Sequence, residues 1–223
     1  MKAKNQSLKV GILQGIRILD LSRMLSGPYA TMLLADHGAE VIKIESAEGD
    51  SSRRSGPFKK NDIKRDWSGY FISLNRNKKS ISLNLKNGDD LAFFKKLVEK
   101  SDVLVENFRP GVMQRLGLSF DEVSKLNPSI VYGSISGFGS DIFGESSYKN
   151  WPSYDVVAQA MGGLISLTGY DEKNPVKVGP GIADIFSGSL LSFGLLASIL
   201  KSRDTGRAQF VEVAMYDAIV SMC

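Results

Sequence analysis

Cysteine and histidine are almost missing from this sequence. Its 223 residues hold one Cys, Cys223, at the last position, and one His, His37. A single Cys makes neither a disulfide framework nor a Cys-based zinc site. A single His leaves little material for a His-based metal centre, so no metal is expected. Long apolar runs are lacking too: none approaches the roughly 18 residues of a membrane span. Met1 to Gln6 carries two Lys with no apolar core behind them, so no signal peptide is expected. These absences point to a cytoplasmic chain without a membrane partner. The hydrophobic fraction of 43% and charged fraction of 23% are ordinary for a globular protein and exclude a disordered tail, a coiled coil and a collagen. The length suits one domain, or one and a piece of another, at roughly 150 residues each. Glycine is what the chain has in excess: 22 residues, against a usual share of ~7%.

The net charge of +4 is unevenly spread. Arg53, Arg54, Lys59, Lys60, Lys64, Arg65, Arg76, Lys78 and Lys79 stand against Asp62 and Asp66 in one window, giving +7 there and −3 elsewhere. Such a patch suits a polyanion, either a phosphorylated cofactor or nucleic acid. A solvated surface loop gives the same pattern. Nucleic acid is the weaker partner. The window's aromatics are only Phe58, Trp67, Tyr70 and Phe71, and no nucleic-acid motif is present.

Strands and helices alternate along the chain. Ile16 to Leu21 reads as a first strand, Tyr29 to His37 as a helix ended by Gly38, and Val41 to Ile44 as a second strand. That is a βαβ unit with a right-handed crossover. Residues 46 to 69 read as a polar, basic loop. Tyr70 to Leu74 and Ser80 to Leu85 read as short strands, Asp89 to Lys100 as an amphipathic helix, and Val103 to Val105 as a buried strand. Pro110 to Leu116 and Ser119 to Leu126 read as short helices, the second opened by a Ser119/Glu122 capping box. Ile130 to Ser136 is a strand, and Asp155 to Leu167 and Ile185 to Ser202 are helices. The pattern predicts an α/β fold: a Rossmann-like, doubly wound, mostly parallel sheet. Gln209 to Val213 reads as a strand and Met215 to Cys223 as an apolar helix without a cap or polar turn. The expectation is part of a longer protein, with a flexible segment over 1–11 and a domain over 12–223.

In such sheets ligands bind where strands end and helices begin. The turn Ser22 to Pro28 lacks the G-x-G-x-x-G fingerprint of dinucleotide folds, although its helix start exposes amides for an anion. Glu45, ending the second strand, is placed like a ribose-binding acid. Glu106-Asn-Phe-Arg-Pro-Gly111 offers an amide, an aromatic face and a guanidinium able to hold an adenine and a phosphate. Val178-Gly-Pro-Gly-Ile-Ala-Asp184 sets one acid between a glycine turn and a long apolar helix. Asp184 is either a helix cap or a partly desolvated nucleophile. A Ser-His-Asp set is not expected, because His37 lies in the first helix.

Together the residues resemble a known family. Gly15 to Leu21, Gly27-Pro28, Leu34 to Glu45, Gly49-Asp50, Leu74 to Ser80, Asp102 to Gly111, Gly133 to Gly139, Tyr154-Asp155, Ala158 to Ala160, Gly181 to Asp184, Gly188, Thr205-Gly206, Gln209 and Val213 are similar to the family III CoA-transferases. That family includes formyl-CoA and carnitine CoA-transferases and 2-methylacyl-CoA racemases. Its members run to about twice this length, so the chain resembles their N-terminal half, an incomplete large domain. The resemblance implies a catalytic Asp184 that exchanges CoA between an acyl-CoA donor and a small carboxylate acceptor through anhydride and aspartyl-CoA thioester intermediates. It implies coenzyme A contacts at Leu25, Ser26, Leu74, Asn75, Arg76, Asn77, Asn107, Phe108, Arg109 and Arg115, and a homodimer at full length. The family's frequent Gln-Ala before Gly-Pro is Leu25-Ser26 here, and its occasional Arg after the second strand's Glu is Ser46. A racemase would need a His before the position of Asp155. Tyr154 stands there, and a tyrosine does not shuttle protons at neutral pH as a histidine does. A non-catalytic CoA-binding half is the alternative from another class.

Overall fold

The computed structural model describes residues 11–223. The flexible segment expected over 1–11 lies outside the described residues except for Gly11, whose carbonyl accepts the Gln14 N–H at 3.0 Å. Six parallel strands form one sheet: β1 (Arg17–Asp20), β2 (Glu40–Glu45), β3 (Lys78–Ser82), β4 (Val103–Glu106), β5 (Val131–Ser136) and β6 (Gln209–Ala214). Their order is β3-β2-β1-β4-β5-β6. Chain direction across the sheet therefore reverses between β1 and β4, and a crevice opens there above the strand ends.

Alternation along the strands sorts side chains onto two faces. Ile16, Ile18, Val103 and Val105 meet Ala30 and Leu34 of α1 (Ser26–Asp36) and Leu191, Leu195 and Ile199 of α8 (Ile182–Thr205). Leu19, Leu21 and Leu104 face the other way, onto Phe94 and Val98 of α3 (Gly88–Val98) and Val123 of α5 (Phe120–Leu126). Both faces are thus covered by helices, as the α/β pattern predicts. Ser119 caps α5 by accepting the Glu122 N–H.

Several expectations change, and the strand expected over Ser80 to Leu85 is β3, Lys78–Ser82. Tyr70 to Leu74 is not a strand but α2 (Gly69–Asn75), capped by the Ser68 hydroxyl, which accepts the Phe71 N–H at 2.9 Å. Its aromatic and branched residues are strand-like in composition, yet Phe71 and Leu74 are buried at helical spacing. The helix expected over Asp155 to Leu167 is two helices, α6 (Asp155–Met161) and α7 (Leu164–Thr168). They divide at Gly162-Gly163, where Gly163 has φ +94°. The last helix, α9, covers only Met215–Val220, and α4 only Val112–Arg115.

α8 starts three residues earlier than its apolar run suggests. By length and composition it is the one helix among the described residues able to cross a membrane, although no uninterrupted apolar run exists. Here Ala183, Leu191 and Leu195 are fully buried in the core, while Phe193 and Leu200 are 75% and 72% exposed.

Candidate active site

The loops after β1 and β4 meet over the crevice. Asn107 joins them: its Oδ1 accepts the Arg23 N–H at 2.8 Å, and its Nδ2 donates to the Arg23 carbonyl at 2.8 Å and to the Ser26 hydroxyl at 3.2 Å. The Arg23 guanidinium lies 5.7 Å from the centre of the Phe108 ring. Met24, beside it, takes a left-handed φ of +63°, and its N–H points at both Asp50 carboxylate oxygens at 3.3 Å.

α8 delivers Asp184 to the same place. Gly188 makes this possible, since a Cβ there would fall 2.6 Å from the Ser26 carbonyl oxygen. Ser192, one turn on, donates to the Ala30 carbonyl at 3.1 Å. The two helices therefore touch backbone to backbone, bringing Ser26 beside Asp184. Gly188→Ala is expected to push them apart, costing about 1–3 kcal/mol in urea unfolding.

Asp184 is the third residue of α8 and not its cap. The cap residue is Gly181, which has no side chain to offer. The Ala183 N–H, which has no partner within the helix, instead donates to Asp155 Oδ1, at the start of α6, at 2.8 Å. Asp155 Oδ2 accepts from Gln159 Nε2 at 2.7 Å, and Gln159 Oε1 accepts the Val178 N–H at 3.0 Å. Two carboxylates thus share one corner. Burial and the neighbouring Asp155 charge push the Asp184 carboxyl up to about 6, against the pull of the Ser26 hydroxyl and amide. Tyr70, across the cleft, is pushed up to about 12 by its burial and by Asp184, Asp50 and Asp155.

The resulting cleft has a volume of about 640 Å³ and brings together Leu25, Ser26, Asn107, Phe108, Arg109 and Asp184 from the expected set. Arg23, Tyr70, Tyr154, Asp155 and Lys177 also line it. A second cleft of about 390 Å³ shares the Phe108-Arg109-Pro110 ridge. There burial pushes Glu106 up to about 7, despite hydrogen bonds from Ser134 and the Phe108 N–H.

Leu74, Asn75, Arg76, Asn77 and Arg115 do not line the Asp184 cleft. Leu74 is core. Asn75 accepts from Lys78, and Arg76 and Asn77 both bind Asp36 at the far end of α1. Arg115 sits exposed over Gly111. Glu45, read as a ribose acid, holds Arg53 through both oxygens at 2.7 and 2.6 Å and also takes Ser80 and the Asp50 N–H. The basic window also divides. Arg53, Arg76, Lys78 and Lys79 are in ion pairs. Among the described residues no His/Cys/Asp/Glu cluster suits a metal.

Fold and site together define a doubly wound α/β protein with one semi-buried carboxylate set at a helix start, facing a cationic ridge at the sheet's switch point. Residues 13–223 match the profile of CoA-transferase family III, and the chain belongs to that family. It is 44% identical over 214 residues to a succinyl-CoA:mesaconate CoA-transferase of Haloarcula marismortui, covering 96% of this chain and 54% of that protein. A formyl-CoA:oxalate CoA-transferase of Streptomyces coelicolor is 44% identical over 211 residues, covering 95% and 49%. The crystal structure of a CAIB/BAIF family protein from Brucella suis superposes with a TM-score of 0.89 at 33% identity, covering 96% of this chain and 55% of that one. The chain spans about half the length of the curated relatives it matches.

Proposed function

We propose that Asp184 exchanges CoA between an acyl-CoA and a free carboxylate. The observation that carries this reading is a semi-buried carboxylate at the shared start of α8 and α1, with no lysine or arginine among the described residues bonded to it. Such a carboxylate is ionised at neutral pH yet poorly solvated, which favours attack on a carbonyl. One Asp184 oxygen adds to the thioester carbonyl carbon and CoA leaves as thiolate, giving a mixed anhydride. The thiolate then attacks the Asp184 carbonyl carbon and frees the donor's carboxylate, leaving an aspartyl-CoA thioester. An acceptor carboxylate attacks that thioester, forming a second anhydride and freeing the thiolate again. Attack of the thiolate on the acceptor's carbonyl carbon yields the new acyl-CoA and restores Asp184. The amides at the two helix starts and the Ser26 hydroxyl stabilise the negative oxygen of each tetrahedral species.

CoA lies along Leu25, Ser26 and the Asn107-Phe108-Arg109 ridge, where Arg23 and Arg109 meet its phosphates. Arg115 is available farther along the same ridge. The polar atoms of Asn75, Arg76 and Asn77 are engaged within the fold, so their part in binding would need those contacts to open. Mesaconate and oxalate, in the names of the relatives, are dicarboxylates, so the acceptor class is a small dicarboxylic acid. Racemisation is disfavoured by Tyr154, 65% exposed in the cleft, while His37 sits at the end of α1 with Nδ1 on the Leu33 carbonyl.

Incubation with acyl-CoA and no acceptor is expected to add the mass of one CoA less one water to the peptide carrying Asp184. An adduct elsewhere, or none in an active sample, would refute the route. A chain extended to the relatives' length is expected to turn over faster than these 223 residues, whose α8 leaves Phe193 and Leu200 uncovered.

A further inference from the structure

We propose that Gln159 is a positioning residue for Asp184, acting as a clasp that fixes both ends of the glycine loop before α8. The inference rests on Asp184 being the reacting carboxylate. Gln159 is fully buried. Its single amide group makes two bonds in opposite directions: Oε1 accepts the Val178 N–H at 3.0 Å and Nε2 donates to Asp155 Oδ2 at 2.7 Å. Asp155 Oδ1 in turn accepts the Ala183 N–H at 2.8 Å. Val178 and Ala183 bracket Gly179, Pro180, Gly181 and Ile182, and Asp184 is the next residue.

Besides the clasp, the loop's side-chain support is the exposed Lys177, whose Nζ donates to the Val178 and Gly179 carbonyls at 2.7 and 2.9 Å. Gly181 has no side chain with which to cap α8, and a Cβ there would lie 2.7 Å from Leu25 Cδ2. Without the clasp, the first turn of α8 has no side-chain partner from its own sequence. An amide suits the position because one face must accept and the other must donate. A carboxylate could accept from Val178 but would repel Asp155, and an apolar side chain would leave the Val178 N–H unpaired. The groups facing this corner are Asp155 of α6, Asp184 of α8, Tyr70 of α2 and Lys177 of the loop.

The test is Gln159→Leu and Gln159→Glu in the full-length protein. Gln159→Leu should speed hydrogen exchange at the Val178 and Ala183 amides and leave the amides of β1 and β4 unchanged. It should lower kcat for acyl exchange by about 10–100-fold, the scale of a 1 Å misplacement, with the CoA dissociation constant unaltered. Gln159→Glu folds with the same shape. Protonated, the introduced carboxyl again donates to Asp155, and ionised it repels it. Its turnover relative to wild type should therefore rise as pH falls from 8 to 6. Wild-type amide exchange in Gln159→Leu, unchanged kcat, or a low and flat pH ratio for Gln159→Glu would overturn the clasp. An active Asp184→Ala would instead overturn the catalytic reading, and the amide exchange would still judge the clasp by itself.

Discussion

Asp184→Ala and Asp184→Asn are both expected to abolish acyl-CoA exchange while CoA still binds along the Arg23–Arg109 ridge. The amide keeps the shape of the carboxylate but has no nucleophilic oxygen, and Asp155 cannot replace it. Both Asp155 oxygens are already taken, by Ala183 and Gln159. The two variants separate on stability. Burial and Asp155 raise the Asp184 carboxyl to about 6 from 3.8. The folded state therefore binds this proton more tightly than the unfolded chain, and stability contributed by the protonated form is lost as pH rises from about 4 to 6. At pH 7 the buried anion is a liability, so Asp184→Asn should be more stable than wild type by about 1–3 kcal/mol. Wild-type turnover should fall below about pH 6, as the nucleophile takes up its proton. A dead and stabilised Asn variant is the outcome to look for in paired exchange and urea-unfolding experiments. Retained exchange would remove Asp184 from the chemistry.

How much of this could be read from the chain depended on how local the signal was. The β1–α1–β2 unit, the strands β4 and β5 and the capping of α5 by Ser119 all follow from short-range pattern and agree with the structure, although α1 begins at Ser26, inside the segment read as a turn. Asp184 was legible as either a cap or a nucleophile because it stands between a glycine turn and an apolar helix. The structure removes the cap reading, since the Ala183 amide is met by Asp155, 28 residues before Ala183. No spacing rule links an acid at one helix start to the amides of another. α2 was misread because Tyr, Phe and Ile favour strands until Ser68 supplies a cap and the buried side chains fall three residues apart. The basic window failed differently. Charge counts treat every Lys as exposed, but Lys78 is buried on Asp20 from a distant segment, and Lys43 in β2 is buried on Asp50 just after its own strand.

Those buried pairs support the site. Asp20, at the end of β1 and fully buried, accepts from Lys78 Nζ at 2.9 Å, from Thr31 Oγ1 at 2.7 Å and from both the amide and the hydroxyl of Ser22. It thereby ties the crevice loop, α1 and β3 to one point. Lys78 Nζ also donates to the Pro28 carbonyl in the first turn of α1 at 2.9 Å. Lys43 crosses the same layer, donating to the Ser22 carbonyl at 2.8 Å and pairing with Asp50 at 3.0 Å. Burial alone would raise the Asp20 carboxyl, but Lys78 and Lys43 outweigh it, with help from Ser22 and Thr31, and hold it far below its usual range. Its contribution to stability is thus present above about pH 4 and lost only as pH falls through that depressed folded value. Burial lowers the Lys78 ammonium to about 8, with Asp20 opposing. Asp20→Ala leaves that ammonium buried without its counter-charge and should cost about 3–5 kcal/mol, the largest single loss expected outside the core. The sign with pH is specific. With Asp20 gone, Lys78 titrates lower still, while in the unfolded chain it titrates near 10.5. The unfolded state then binds the extra proton between those two values, and stability rises with pH across them. The deficit of Asp20→Ala should therefore be smaller at pH 9.5 than at pH 7. Adding Lys78→Met to Asp20→Ala should recover part of it by removing the stranded charge. Urea unfolding of the two single variants and the double variant at both pH values measures this. A deficit equal at both pH values, or a double variant as unstable as the sum of the singles, would show that the pair does not hold the crevice loop through charge.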